Sequence, residues 1–110
     1  MNKEQQTVLP VIQYTQTHYV EPISLKLASD IIHVDKSYFC RLFKKAIGIS
    51  YLEYVYFLRI SKAEELLLRT KKTVTEIANE TGFPSSAYFT KVFKKRKGYT
   101  PTFYKKLQKR

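Results

Sequence analysis

At 110 residues the chain is one domain's worth of polymer, and 44% hydrophobic with 26% charged residues excludes a disordered tail. The formal net charge of +11 favours a polyanionic partner, while one cysteine and two histidines exclude an internal disulfide and argue against a protein zinc site. The polar start Asn2-Lys3-Glu4-Gln5-Gln6 has no secretory character and no apolar run approaches the roughly 18 residues that cross a bilayer, so a cytosolic protein in reducing surroundings is expected.

Helical periodicity dominates, and only three glycines interrupt it. Thr7 is placed to cap a first helix with Pro10 in its first turn, and Val8, Val11, Ile12, Thr15 and Tyr19 share one face before Glu21-Pro22 ends it. Ser24 caps a short second helix to about Ile32 that buries Leu27, Ala28 and Ile31. Asp35 caps a third to about Ile47, with Phe39, Leu42, Phe43 and Ala46 at core spacing and Gly48 as its stop. Ser50-Tyr-Leu-Glu53 is a capping box opening a fourth helix to about Arg69. Between Tyr51 and Ile60 only Glu53 and Arg59 are polar, which predicts a helix covered on more than one side, between two subdomains. After the connector Arg69-Thr-Lys-Lys72 a second capping box, Thr73-Val-Thr-Glu76, opens a short fifth helix closed by Gly82, with Phe83-Pro84 as the turn. Ser85 caps a sixth helix through Lys97 that buries Phe89, Val92 and Phe93, and Thr100-Pro101 starts a seventh running towards Arg110. The fold expected is all-α: seven helices, with one helix-turn-helix subdomain at about 7–48 and another at 73–110, joined by a long helix at 50–69.

Residues 28–54 and 78–104 repeat one pattern. Sliding the chain by 50 positions pairs Ala28 with Ala78, Tyr38-Phe39 with Tyr88-Phe89, Phe43-Lys44-Lys45 with Phe93-Lys94-Lys95, Gly48 with Gly98 and Tyr54 with Tyr104. The duplication is a sign of repeated architecture. Charge is distributed unevenly along it: Met1 to Val34 nets −1, whereas Ser85 to Arg110 holds nine basic residues and no acid.

Each repeat reads as a short helix, a tight turn and a helix with a split surface, the pattern whose second helix enters the DNA major groove. Recognition helices are expected at about 36–47 and 86–97. On their outward faces Lys36, Ser37, Cys40 and Arg41, and Ser86, Ala87, Thr90 and Lys91, are the candidates for base readout. Arg41 and Lys91 occupy matching positions suited to guanine O6 and N7, and Ala87 or the Thr90 methyl suits a thymine methyl. Lys44, Lys45, Lys94, Lys95, Arg96 and Lys97 are the candidates for phosphate contact, giving affinity without sequence information. About 20 residues of linking helix span roughly 30 Å, close to the roughly 34 Å between successive major grooves on one face of the duplex.

The stretch Ile77-Ala78-x-x-x-Gly82-Phe83-x-x-x-x-Tyr88-Phe89-x-x-x-Phe93-Lys94-x-x-x-Gly98-x-Thr100-Pro101-x-x-Tyr104 resembles the signature of the AraC/XylS family of bacterial transcription regulators. The first repeat, with Arg59 and Ala63-x-x-Leu66-Leu67 on the long helix, resembles the response-regulator branch related to YesN. The resemblance implies a seven-helix domain that binds double-stranded promoter DNA, activates transcription through RNA polymerase, and sits at the end of a longer regulator with a sensor or receiver domain. It also implies a bacterial, cytoplasmic and nucleoid-associated protein. One departure stands out: Gly82-Phe83 becomes Ile32-His33 in the first repeat, so the first turn is expected to differ in conformation.

Competing readings are blander. Tyr38, Phe39, Phe43, Tyr88, Phe89 and Phe93 read as core or near-core aromatics rather than base-stacking platforms. Cys40 has no neighbouring acid or histidine to make it a nucleophile, no catalytic constellation is present, and no cofactor or metal is expected. The alternative function is a basic helical protein-interaction module without sequence readout. A cationic membrane-surface segment is disfavoured because Phe89, Val92 and Phe93 are needed for a core.

Overall fold

A computed structural model describes residues 1–108. Among them the secondary structure is entirely helical: α1 (Lys3–His18), α2 (Leu25–Ile31), α3 (Lys36–Ile47), α4 (Tyr51–Arg69), α5 (Val74–Glu80), α6 (Ser86–Lys97) and α7 (Pro101–Lys106). The chain forms two compact units, Met1–Leu58 and Arg59–Arg110, and the division falls inside α4.

Local capping chemistry sets most helix ends. Ser24, Asp35, Thr73, Ser85 and Thr100 each accept a hydrogen bond from the backbone N–H three residues on, closing orphan donors of α2, α3, α5, α6 and α7. Ser50 and Glu53 exchange the reciprocal bonds of a capping box at the start of α4. The first helix begins five residues before the expected Thr7–Val8 start, because Asn2 and Gln5 form a capping box of their own. Pro10 therefore lies inside α1 rather than in its first turn. The early start has a tertiary reason too: the Gln5 amide donates to the Ala46 carbonyl at 3.2 Å, satisfying a last-turn carbonyl of α3.

In the first unit α1, α2 and α3 pack on one another. Val8, Val11, Ala28, Phe39, Leu42, Phe43 and Ala46 form the core with Tyr51 and Val55 of α4. Tyr51 meets Phe39 and Phe43 edge-on, with ring centroids 5.3 Å apart in both pairs. Its hydroxyl hydrogen-bonds the buried Thr15 hydroxyl at 2.7 Å, so neither polar group is stranded. Ser29, rather than Leu27 or Ile31, is the second fully buried residue of α2.

In the second unit Ile60, Ala63 and Leu67 of α4 are buried, as are Ile77, Ala78, Phe83, Phe89, Val92 and Phe93. The aromatics run in sequence, Phe83 to Phe89 at 5.1 Å, Phe89 to Phe93 at 5.6 Å, and Phe93 edge-on to Tyr104 at 5.0 Å. Side chains in and just after α7 hold the C-terminal end of α4 and the connector that follows it. Gln108 donates to the Leu67 and Thr70 carbonyls, and the Lys105 ammonium donates to Lys72 O at 2.7 Å.

Between Tyr51 and Ile60, where α4 is expected to be covered on more than one side, part of its apolar surface stays exposed. Leu52 is 47% and Phe57 56% exposed, while Arg59 is only 8% exposed, its guanidinium 6.0 Å from the Phe83 ring centroid. The helix uses two short apolar stripes in succession, Tyr51 and Val55 for the first unit and Ile60, Ala63 and Leu67 for the second, so Leu52 and Phe57, off those stripes, stay in water.

Candidate nucleic-acid interface

The second helix of each helix-turn-helix pair, α3 after α2 and α6 after α5, is built to one plan. Both α3 and α6 are 12 residues long, and both end at a glycine in the left-handed region, Gly48 at φ 95° and Gly98 at φ 86°. In each, the glycine N–H donates to a lysine carbonyl of the last turn, Lys44 O or Lys94 O, at 2.8 Å. The caps differ in charge: Asp35 offers a carboxylate to Tyr38 N at 2.8 Å, and Ser85 a hydroxyl to Tyr88 N at 3.1 Å.

The core face of α3 is Phe39, Leu42, Phe43 and Ala46, which leaves Lys36, Ser37, Cys40, Arg41, Lys44 and Lys45 exposed. In α6, with Phe89, Val92 and Phe93 inward, Ala87, Lys91, Lys94, Lys95 and Arg96 are exposed and Ser86, Thr90 and Lys97 half-buried. The base-readout candidates therefore fall at the same four helical positions in both units, the first, second, fifth and sixth, on the solvent side of the N-terminal half. The basic blocks occupy the last turns, where the negative end of the helix dipole favours cations.

Lys97 and Lys45, among the basic candidates, are engaged by acids of other helices. Lys97 sits 3.0 Å from Glu64 of α4, both half-buried, and Lys45 sits 3.6 Å from Glu4 of α1. Sequence spacing gave no signal of either pair, since each joins residues far apart in the chain.

Tyr38 and Tyr88 also depart from expectation. They are 45% and 38% exposed, on the flanks of α3 and α6 rather than in the core. Tyr38 carries the Arg41 guanidinium 6.0 Å from its ring centroid, which steadies that long side chain on the exposed face of α3. The signal was present: each tyrosine precedes a core phenylalanine by one residue, about 100° around the helix from it.

Electrostatics separate the units sharply. The 1–58 unit has six basic and five acidic side chains, a net of +1, and the unit from residue 59 onward has fourteen and four, a net of +10. Within the second unit Glu76 is held below the usual carboxylate range, first by its backbone hydrogen bond from Thr73, and Lys72 is raised by its hydrogen bond and ion pair with Glu80. Among the described residues no cluster of three or more candidate ligands gathers for a metal, and no helix is long and apolar enough to cross a membrane.

Comparison with known proteins places this arrangement. A helix-turn-helix domain family matches residues 28–107. The C-terminal domain of AraT, a response regulator from Geobacillus stearothermophilus, is 30% identical with a TM-score of 0.89, covering 97% of this chain and 89% of that one. The C-terminal domain of the two-component response regulator yesN from Fusobacterium nucleatum is 31% identical with a TM-score of 0.83, covering 86% and 93%. The bifunctional transcriptional activator/DNA repair enzyme AdaA of Bacillus subtilis is 31% identical over 99 residues, 90% of this chain and 47% of that protein. The chain spans about half the length of the first curated relatives it matches.

Proposed function

The chain belongs to the AraC-type helix-turn-helix family of DNA-binding transcription regulators, and we propose that it binds promoter DNA as the reading head of a longer regulator, with α3 and α6 as its two recognition helices. The observation that carries this reading is the positional match of the two exposed faces: the same cap position, the same four outward positions and the same basic last turn, on two helices of equal length. In this reading Lys36, Ser37, Cys40, Arg41, Ser86, Ala87, Thr90 and Lys91 face base edges, Arg41 and Lys91 suited to guanine. Lys44, Lys94, Lys95 and Arg96 face phosphates, and Lys45 is held by Glu4 of α1. Lys97 serves to brace α6 against Glu64 of α4.

The proposal extends to one duplex gripped in two successive major grooves. The duplication supports it, as does the length of α4, whose 19 residues make a continuous helix of roughly 28 Å. A sensor or receiver domain elsewhere in the parent protein, contact with RNA polymerase, and residence on the nucleoid belong to the same proposal, supported by the regulators the chain resembles. No catalytic step forms part of it. Family membership displaces the alternative of a protein-interaction module without sequence readout.

The test is selection of bound duplexes from a random library. Enrichment of a bipartite motif with halves about 10 base pairs apart is the expected result. Weak binding of equal strength to every sequence would sink the reading.

A further inference from the structure

The recognition helices are alike in shape and unlike in the charge that surrounds them. At its first turn α3 carries the Asp35 carboxylate, where α6 carries the neutral Ser85 hydroxyl. At its last turn Lys45 is neutralised by Glu4, whereas its counterpart Lys95 has no ion-pair partner among the described residues. Acidic groups thus flank both ends of the exposed face of α3, and the unit that contains it nets +1 against +10 for the other.

Affinity for any duplex, whatever its sequence, scales with the phosphates neutralised, and each adds about 0.9 to the slope of log affinity on log salt. A unit near neutrality gains little from this source and is held only where base edges fit its side chains. We infer that the two units divide the work on one duplex: the second supplies the salt-sensitive phosphate grip, and Glu4 and Asp35 keep the first near neutral so that it engages on base complementarity. This rests on the DNA-binding reading above and adds a role for two carboxylates that the reading leaves unused.

The test uses the full chain and a duplex carrying the selected bipartite motif. The half-site whose base preference relaxes in Arg41→Ala is assigned to the first unit. Hydroxyl-radical protection is then followed as KCl is raised. The expected result is that protection of the second unit's half falls more steeply with salt than that of the first. Asp35→Ser keeps the α3 cap, as Ser85 does for α6, and Glu4→Gln keeps a neutral helix former in α1. Together they should steepen the fall of the first half's protection towards that of the second. They should also tighten binding about threefold per charge removed, the worth of one unit charge about 6 Å from a phosphate in water, on matched and scrambled first halves alike. Glu4→Gln alone should steepen the salt slope by about 0.9.

Equal salt sensitivity of the two halves in the unaltered protein overturns the inference, as does a double variant that leaves the first half's salt dependence unchanged. Weaker binding of Asp35→Ser with a lost base preference in the first half also overturns it, because Asp35 would then be a base reader accepting from cytosine N4. Absence of localised protection at any salt defeats the DNA-site reading itself, a failure distinct from the other three.

Discussion

The turns that feed α3 and α6 do the same work with different residues and different lengths. In the second unit Gly82 takes the left-handed conformation at φ 91°, and Phe83 and Pro84 follow before the Ser85 cap. In the first unit the left-handed residue is His33 at φ 60°, and Val34 alone separates it from the Asp35 cap. Hydrogen bonds confirm the equivalence. His33 N donates to Asp30 O and Val34 N to Ser29 O, as Gly82 N donates to Asn79 O and Phe83 N to Ala78 O. The second helices repeat at an interval of 50, but the first helices and their turns repeat at 49, and Pro84 is the extra residue. Ser29 is thus the structural partner of Ala78, and both are buried, which places a serine where the identity of Ala28 with Ala78 suggested alanine. The tight reversal demands one residue at positive φ. The second unit meets that demand with glycine at little steric cost, and the first with histidine, which must bear the clash between Cβ and the following carbonyl.

Equivalence of the cores is the claim with the largest effect at stake. Phe43→Ala and Phe93→Ala should each cost about 3–5 kcal/mol, since both rings are fully buried, and denaturant titration of each variant measures it. A loss below about 1 kcal/mol in one of them would show that the two aromatic cores are not equivalent. At the exposed faces, Arg41→Ala and Lys91→Ala should each weaken specific binding by about 1–3 kcal/mol and relax preference in separate half-sites. Competition binding with half-site mutants reads this out, and relaxation of the same half by both would contradict two separate readers.

Smaller effects test the turns. Gly82→Ala should destabilise by about 1 kcal/mol, because alanine inherits the left-handed backbone, whereas His33→Gly should stabilise by about 0.5 kcal/mol after the extra entropy cost of glycine. Thermal melts of the pair, shifted in opposite directions, are the expected outcome. The smallest effect concerns pH. The lowered pKa of Glu76, due first to the backbone N–H of Thr73, means its contribution is fully present above the ordinary glutamate pKa of 4.5 and fades as pH falls through the lower folded value. The Ser24 cap of α2 has no carboxylate, as its third residue is Leu27. Amide exchange at the start of α5 should therefore quicken between about pH 5 and 3 relative to the start of α2, and Glu76→Gln should remove that difference.

Short-range chemistry was legible from residue order alone. Caps at Ser24, Asp35, Ser50, Thr73, Ser85 and Thr100 involve partners within three residues, and the stops at Gly48 and Gly98 need only a positive φ, so these boundaries emerged where the periodicity placed them. The Asn2–Gln5 box is equally local but lies ahead of the first apolar residue, and a reading that begins from the hydrophobic stripe passes over it. The core of α3 and α6 followed from spacing because an amphipathic helix has one apolar face to bury.

Residue order by itself therefore settled an all-helical chain, its repeat and the two exposed basic faces, since propensity, capping and periodicity all act within a few residues. Tertiary packing settled which face of α4 served each unit, why Tyr38 and Tyr88 lie outward, which lysines are answered by Glu4 and Glu64, and that His33 rather than Ile32 reverses the chain. Those outcomes depend on distances between residues remote in sequence, and the free energy of bringing them together is not written in either neighbourhood alone.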